Sequence, residues 1–197
     1  MARTRDFDLD TAIDSALQEF WKKGYEGTSL TDLTEAMGIN RPSLYAAFGN
    51  KEGLFRRVLE RYVASRSEQL QAALSAPTAR EAVERVLYFY ADAAGVPEQP
   101  RGCLLVQGAL ACSESSAPIQ KELAEQRNAG EAALTQRLKR AKAEGDLPAQ
   151  ESPAELARYV FAVCNGLAVQ ATGGATRAEL RRVVERALLA WPSAHAH

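Results

Sequence analysis

Arg41, Ser43, Tyr45 and Lys51 lie within eleven residues of one another, and all four side chains end in hydrogen-bond donors. Donors so close together suit an anion. Arginine can grip a phosphate or the edge of a guanine, and the hydroxyls can donate to phosphate oxygens. A thiol is the second candidate. Cys103 follows Pro100-Arg101-Gly102 at an expected helix start, beside a cation and the positive end of a helix dipole. That setting lowers a thiol pKa and suits a redox or electrophile switch; the alternative, a small passive core residue, stays open beside it. Cys112 and Cys164 stand in apolar company and read as inert. Three cysteines without a CxxC spacing give no disulfide framework and no zinc site. His195 and His197, the two histidines, stand in the carboxy-terminal tail, and no glycine-rich phosphate loop or HExxH motif occurs. The expectation is a protein with no catalytic constellation, no metal and no cofactor.

The elements that must position these groups are helices. Apolar residues recur at helical spacing almost throughout, and no segment alternates at period two, so the expected fold class is all-α with about nine helices. The 197 residues are 46% hydrophobic and 25% charged, ordinary for a globular protein. The amino terminus is charged and lacks the apolar core of a signal peptide, and the most apolar run, YVFAVCNGLAV, is broken by Asn165 and Gly166. A cytoplasmic protein with no membrane partner is expected. Net charge is −1, and residues 1–62 hold nine Lys or Arg against ten Asp or Glu. Any case for nucleic acid must therefore rest on where the cations sit.

Helices are expected from about Leu9 to Gly24, over 30–37 behind Thr28 or Ser29, over 42–48, and from Lys51 to about Leu74. Further helices follow at about 79–94, 102–112, 117–143, 153–172 and 176–191. Thr78 with Glu81, Ser152 with Glu155 and Thr176 with Glu179 have the spacing of capping boxes. The second and third helices meet at Gly38, with Leu33, Met37, Ile39 and Leu44 inward. This is the pattern of a helix-turn-helix, whose second helix enters the major groove of DNA and needs only its inner face buried. Arg41, Pro42, Ser43, Tyr45 and Ala46 are its outward positions. Lys51 falls in the first turn of the next helix, where a cation is unfavourable unless something negative approaches.

The stretch GYEGTSLTDLTEAMGINRPSLYAAFGNKEGLF resembles the DNA-binding domain of the TetR family of bacterial transcriptional regulators, with Phe20, Gly24, Tyr25, Thr28, Leu33, Gly38, Leu44, Tyr45, Phe48, Lys51 and Leu54 in pattern. Thr34, where the pattern has alanine, and Gly53, which denies Asn50 a full capping box, depart from it. The resemblance implies a helix-turn-helix domain over 1–50 that contacts double-stranded operator DNA through Thr28, Ser29, Arg41, Pro42, Ser43, Tyr45 and Lys51. It also implies a ligand-binding and dimerisation domain over 51–197, joined through helix 51–74, in a homodimeric repressor released by an inducer.

Within the larger half, helix 153–172 is apolar on two sides. Leu156, Val160, Val163 and Leu167 form one stripe, and Tyr159, Ala162, Gly166 and Val169 the other. One can face the chain's own core and the other a second copy, with Val184, Leu188 and Trp191 of the last helix completing the contact. The candidate dimer interface is thus Val160, Val163, Leu167, Val169, Val184, Leu188 and Trp191. Tyr88, Phe89, Tyr90, Cys103, Gln107, Phe161 and Asn165 are the candidate ligand-binding residues, an aromatic lining without an obvious charge that suits a small, mostly uncharged inducer.

Overall fold

A computed structural model describes residues 8–96, 99–110 and 116–192. Cys112, His195 and His197 lie outside the described residues. Nine α-helices run in order among them: α1 (Leu9–Gly27), α2 (Leu30–Met37), α3 (Arg41–Phe48), α4 (Lys51–Leu74), α5 (Ala79–Asp92), α6 (Leu104–Leu110), α7 (Ala117–Ala143), α8 (Pro153–Thr172) and α9 (Arg177–Leu188). A 3-10 turn, Ala93–Gly95, follows α5. Gly24 leaves helical geometry at φ 71° and ψ 174°, so α1 breaks there and resumes for one more turn.

Polar caps set the short amino-terminal helices. Ser29 caps α2 in a complete box with Asp32, each side chain accepting from the other's backbone N–H. Asn40 accepts from Ser43 N at 2.8 Å, and Asn50 accepts from Gly53 N at 2.7 Å. Gly38 closes α2 in the left-handed region, φ 65°, which costs glycine nothing. Of the three expected boxes, Thr176 with Glu179 is reciprocal; Thr78 and Ser152 cap their helices from one side. α6 starts two residues later than expected, because Gly102 sits at φ 88° and Cys103 supplies the carbonyl that opens the helix. A Cβ at 102 would lie 2.4 Å from Thr172 Oγ1 and 3.0 Å from the Ala168 carbonyl oxygen, so no other residue fits the crossing.

Two apolar cores result. The first gathers Ile13, Phe20, Leu33, Leu44, Leu54 and Phe55 from α1–α4 and continues through Leu104, Ile119 and Leu123 of α6 and α7. The second packs Val86 and Leu87 of α5 against Leu134 and Leu138 of α7, Val160 and Leu167 of α8, and Leu180 and Val184 of α9. Arg137, 5% exposed, has no carboxylate partner among the described residues. Its guanidinium donates to the carbonyls of Leu74, Ala76 and Pro77, where the negative end of α4 stabilises a cation. Asp92 joins α5 to α9 by accepting from Arg177 and Arg181, both at 2.8 Å.

Candidate DNA interface and ligand cavity

The charge placement that composition left open is visible in α1–α4. Lys22 and Lys23 pair with Glu19, and Lys23 also with Asp32. Arg56 pairs with Glu52 and Glu122, Arg57 with Glu60, and Arg61 with Asp10 and Asp14. Among the described residues up to 62, the cations in no ion pair are Arg41, at the start of α3, and Lys51, in the first turn of α4. Arg41 is exposed and donates to Thr31 Oγ1 at 3.0 Å. The Lys51 ammonium lies 4.5 Å from the centre of the Tyr25 ring, and burial lowers its pKa against the opposing pull of Glu26 and Asp32. Tyr25 is itself fixed, stacked on Phe20 and edge-on to Phe55.

Ser29, Pro42 and Tyr45 are exposed, and Ser43 is half-buried at the start of α3. Ser29's hydroxyl is engaged by its own capping box, while Tyr45 is 44% exposed. Thr28 differs from the expectation: it is fully buried, and its hydroxyl donates to the Gly24 carbonyl at 2.7 Å. It mends the backbone where α1 breaks and presents nothing to a groove. The two departures from the family pattern are also explained. Thr34 returns its hydroxyl to the carbonyls of Leu30 and Thr31, and a Cβ at Gly53 would stand 2.1 Å from the Phe48 carbonyl oxygen.

A cavity of about 220 Å³ opens between α4, α5, α6, α7 and α8. Phe89, Tyr90, Cys103, Phe161 and Asn165 line it as expected. Tyr88 and Gln107 do not. Tyr88 lies under the Arg181 guanidinium, 4.5 Å away, on the α9 side of its helix. Gln107 turns back to donate to the Arg101 carbonyl at 2.9 Å and to Thr172 at 2.7 Å. Nor is the lining uncharged, because Arg66 and Arg127 border the cavity. Neither arginine carries a local sequence signal that marks it as inward. Cys103 is buried, and its sulfur accepts from the Tyr62 hydroxyl at 3.4 Å. That phenol also accepts from Leu104 N at 3.3 Å, and burial, then the neighbouring Cys103, pushes its pKa up, so it stays a proton donor. Arg101 donates to the Gly174 carbonyl instead of approaching the thiol. Cys164 is fully buried, and burial pushes its thiol pKa up.

α8 is buried along one stripe and open along the other. Val160, Leu167, Val184, Leu188 and Trp191 are at most 8% exposed and sit in the chain's own second core, which removes them from a surface contact. Their helical phase is the cause: α8 packs on α5 and α7, and α9 packs on α5 and α8. Val163 is half-buried, and Val169 remains open at 45%. Tyr159 at 40% and Val183 at 47% extend the open face onto α9.

Residues 12–58 match the family described as bacterial regulatory proteins, tetR family, and residues 79–187 match the tetracyclin repressor-like C-terminal domain. The HTH-type transcriptional repressor ComR of Escherichia coli is 34% identical over 194 residues, 96% of this chain and 91% of ComR. The repressor BdcR of the same species is 51% identical over 61 residues, 31% of each chain. Among solved structures, a cysteine mutant of the TetR family transcriptional regulator CifR, complexed with 26-bp double-strand operator DNA, is 44% identical. It superposes with a TM-score of 0.92 over 96% of this chain and 100% of CifR. With a helix-turn-helix whose free cations stand on its second helix and just beyond it, and with matches along nearly its whole length, the chain belongs to the TetR family and is a DNA-binding regulator of transcription rather than an enzyme.

Proposed function

We propose that the chain is a homodimeric repressor whose two α3 helices enter successive major-groove turns of a palindromic operator, and that a small molecule in the cavity releases it. The observation that carries the DNA reading is the isolation of Arg41 and Lys51, unpaired in a segment whose other described cations all face carboxylates. Arg41 is the base-reading candidate; Ser43, Tyr45 and Lys51 are the phosphate-positioning ones. Support for the dimer comes from the open stripe Tyr159, Ala162, Gly166 and Val169. Gly166 lies inside α8 with nothing within 4 Å of where a Cβ would be. A glycine inside a helix costs about 1 kcal/mol against alanine, and close approach of a second α8 supplies a reason for it. A regulator bound to chromosomal DNA works in the cytoplasm, and none of its described helices is long and apolar enough to cross a membrane.

The experiment is a gel-shift screen of promoter fragments, beginning with those beside the chain's own gene. We expect one fragment to be retained with half-sites about one helical turn apart. Equal retention of all fragments would overturn the operator reading.

A second reading keeps the cavity and makes Cys103 the reporter. It is favoured by one observation: that sulfur borders the cavity and accepts from a buried phenol. An electrophile entering there would form a carbon–sulfur bond, with the thiol proton going to the opened or departing group.

A further inference from the structure

Arg66 is a half-buried cation surrounded by rings. Its guanidinium carbon lies 3.9 Å from the centre of Phe89, 5.3 Å from Tyr90 and 5.7 Å from Tyr62. Tyr90's hydroxyl is within hydrogen-bonding reach. Ring faces attract a cation, yet they give its fork of N–H donors no planar pair of acceptors. The described elements around the cavity bring Arg66 no counter-charge. α4 contributes Ser67 and Gln71, α7 contributes Gln126 and a second cation, Arg127, and α8 contributes Asn165; among the described residues no lining residue is acidic. On its other flank Arg66 borders an outer cleft with Asp14 and Glu68. Asp14 is held there by Arg61, and among the described residues Arg66 is in no ion pair. Arg127 donates to the Leu105 carbonyl, so the cavity carries a net positive lining with apolar walls of Leu70, Phe89, Val106 and Phe161.

We infer that the ligand is a small organic anion, a carboxylate on an apolar body, whose two oxygens take the Arg66 fork while the body lies against Phe89 and Phe161. This inference rests on the ligand-responsive reading above. An arginine pairs best with a planar, bidentate acceptor, and removal from bulk water leaves that charge in need of one. Size narrows the class. The cavity of about 220 Å³ is larger than the engineered cavity of about 150 Å³ that holds benzene, which leaves room for one ring or a short alkyl chain with its carboxylate. A partner role for the anion is also built in, because Arg66 and Tyr62 are four residues apart on α4, and Tyr62 lies edge-on to Trp21 of α1 at 5.0 Å. A ligand drawing on Arg66 therefore pulls at the helix that α1 leans on.

The test uses the full chain and its retained promoter fragment. Benzoate, phenylacetate and hexanoate are compared with benzamide, phenylacetamide and hexanamide by calorimetry, by thermal shift and by release of DNA. We expect at least one acid to bind about tenfold or more tightly than its own amide, the worth of one charge-assisted hydrogen bond, and to release the fragment. Arg66→Gln should bring that acid down to its amide's affinity while leaving the amide unmoved, and Arg66→Lys should restore part of the difference. An amide that binds and releases DNA as well as its acid overturns the anion and leaves the ligand-responsive cavity standing. An acid preference that survives Arg66→Gln overturns Arg66 as its reader. If no member of either series binds or releases DNA, the anion class and the ligand-responsive reading both fall. Should Arg66→Gln fail to fold, the acid-to-amide ratio of the unaltered chain decides the matter.

Discussion

Lys51 occupies a helix first turn, where the dipole opposes a positive charge, and a ring rather than a carboxylate holds it: the Tyr25 face at 4.5 Å. A cation in no ion pair suits the phosphate contact proposed for it, whereas Lys23 is bonded to Asp32 at 2.7 Å. Lys51→Ala and Tyr45→Phe are accordingly expected to weaken binding to all duplexes alike, and Lys51→Ala to lower the salt slope by about one per half-site. Arg41→Ala should in addition relax sequence preference, by about 1–3 kcal/mol of lost discrimination at the base it reads. Gel shifts across a salt series on operator and scrambled DNA check both, and a Lys51→Ala variant indistinguishable from the parent at every salt would take Lys51 out of the interface. Cys103 is a different kind of residue, buried and hydrogen-bonded from Tyr62. We expect Cys103→Ser to bind operator normally and to be released normally by a reversible ligand. If that variant instead stays on DNA under an electrophile that releases the parent, the covalent reading replaces the reversible one.

At the scale of the element, α9 is tied to α5 by Asp92, which accepts from Arg177 and Arg181. The hydrogen bond from Arg177, and then that from Arg181, depress the Asp92 pKa below the ordinary carboxylate value of 3.8. A carboxyl with a depressed folded pKa contributes stability that is present above its unfolded pKa and is lost as pH falls through the folded one. Asp92→Asn should therefore lower the stability of the chain at pH 7 by about 0.5–1 kcal/mol, discounted for a solvent-screened pair. The difference from the parent should shrink below pH 4, as thermal melts over pH 3–7 would register. Helix starts such as that of α9 behind Thr176 were legible in the sequence because Ser, Thr and Asn caps announce themselves locally. The helix-turn-helix was legible for the same reason, with Asn40, Pro42 and Gly38 fixing its corner. Three things were not. Thr28 reads as an exposed cap, but the break at Gly24 turns its hydroxyl inward to the Gly24 carbonyl. The inward aim of Arg66 and Arg127 depends on how α4 and α7 cross, which no window of sequence contains. The phase of α8 was undecided because apolar residues lie on both its sides, and only α5 and α7 settle which is core.

The whole molecule is organised by cores that do not respect the family's division of the chain. Leu104, Ile119 and Leu123 of the larger half share a core with Phe20, Leu33 and Leu44 of the DNA-facing half. Motion of α6 or α4 at the cavity would therefore reach α1 through packed side chains, a contiguous route by which the proposed ligand would couple to operator, with the coupling reciprocal in free energy. Two such chains would have to be joined rigidly for a shift in one to change the spacing of two α3 helices, and the open stripe of α8 and α9 is where the join is proposed. Val169 and Val184 distinguish that face from the core beneath it. Val169 is 45% exposed and Val184 is 0% exposed. A glutamate at 169 meets water in the single chain and would be buried in the proposed dimer, so Val169→Glu should leave a folded, helical monomer that has lost tight operator binding. A glutamate at 184 is buried in both states, and an unpaired buried charge costs several kcal/mol, comparable with the whole stability of a domain. Val184→Glu should thus unfold or melt far below the parent instead of simply dissociating. Sedimentation with circular dichroism on the two variants reads both outcomes, and a folded Val169→Glu dimer would move the interface off this face.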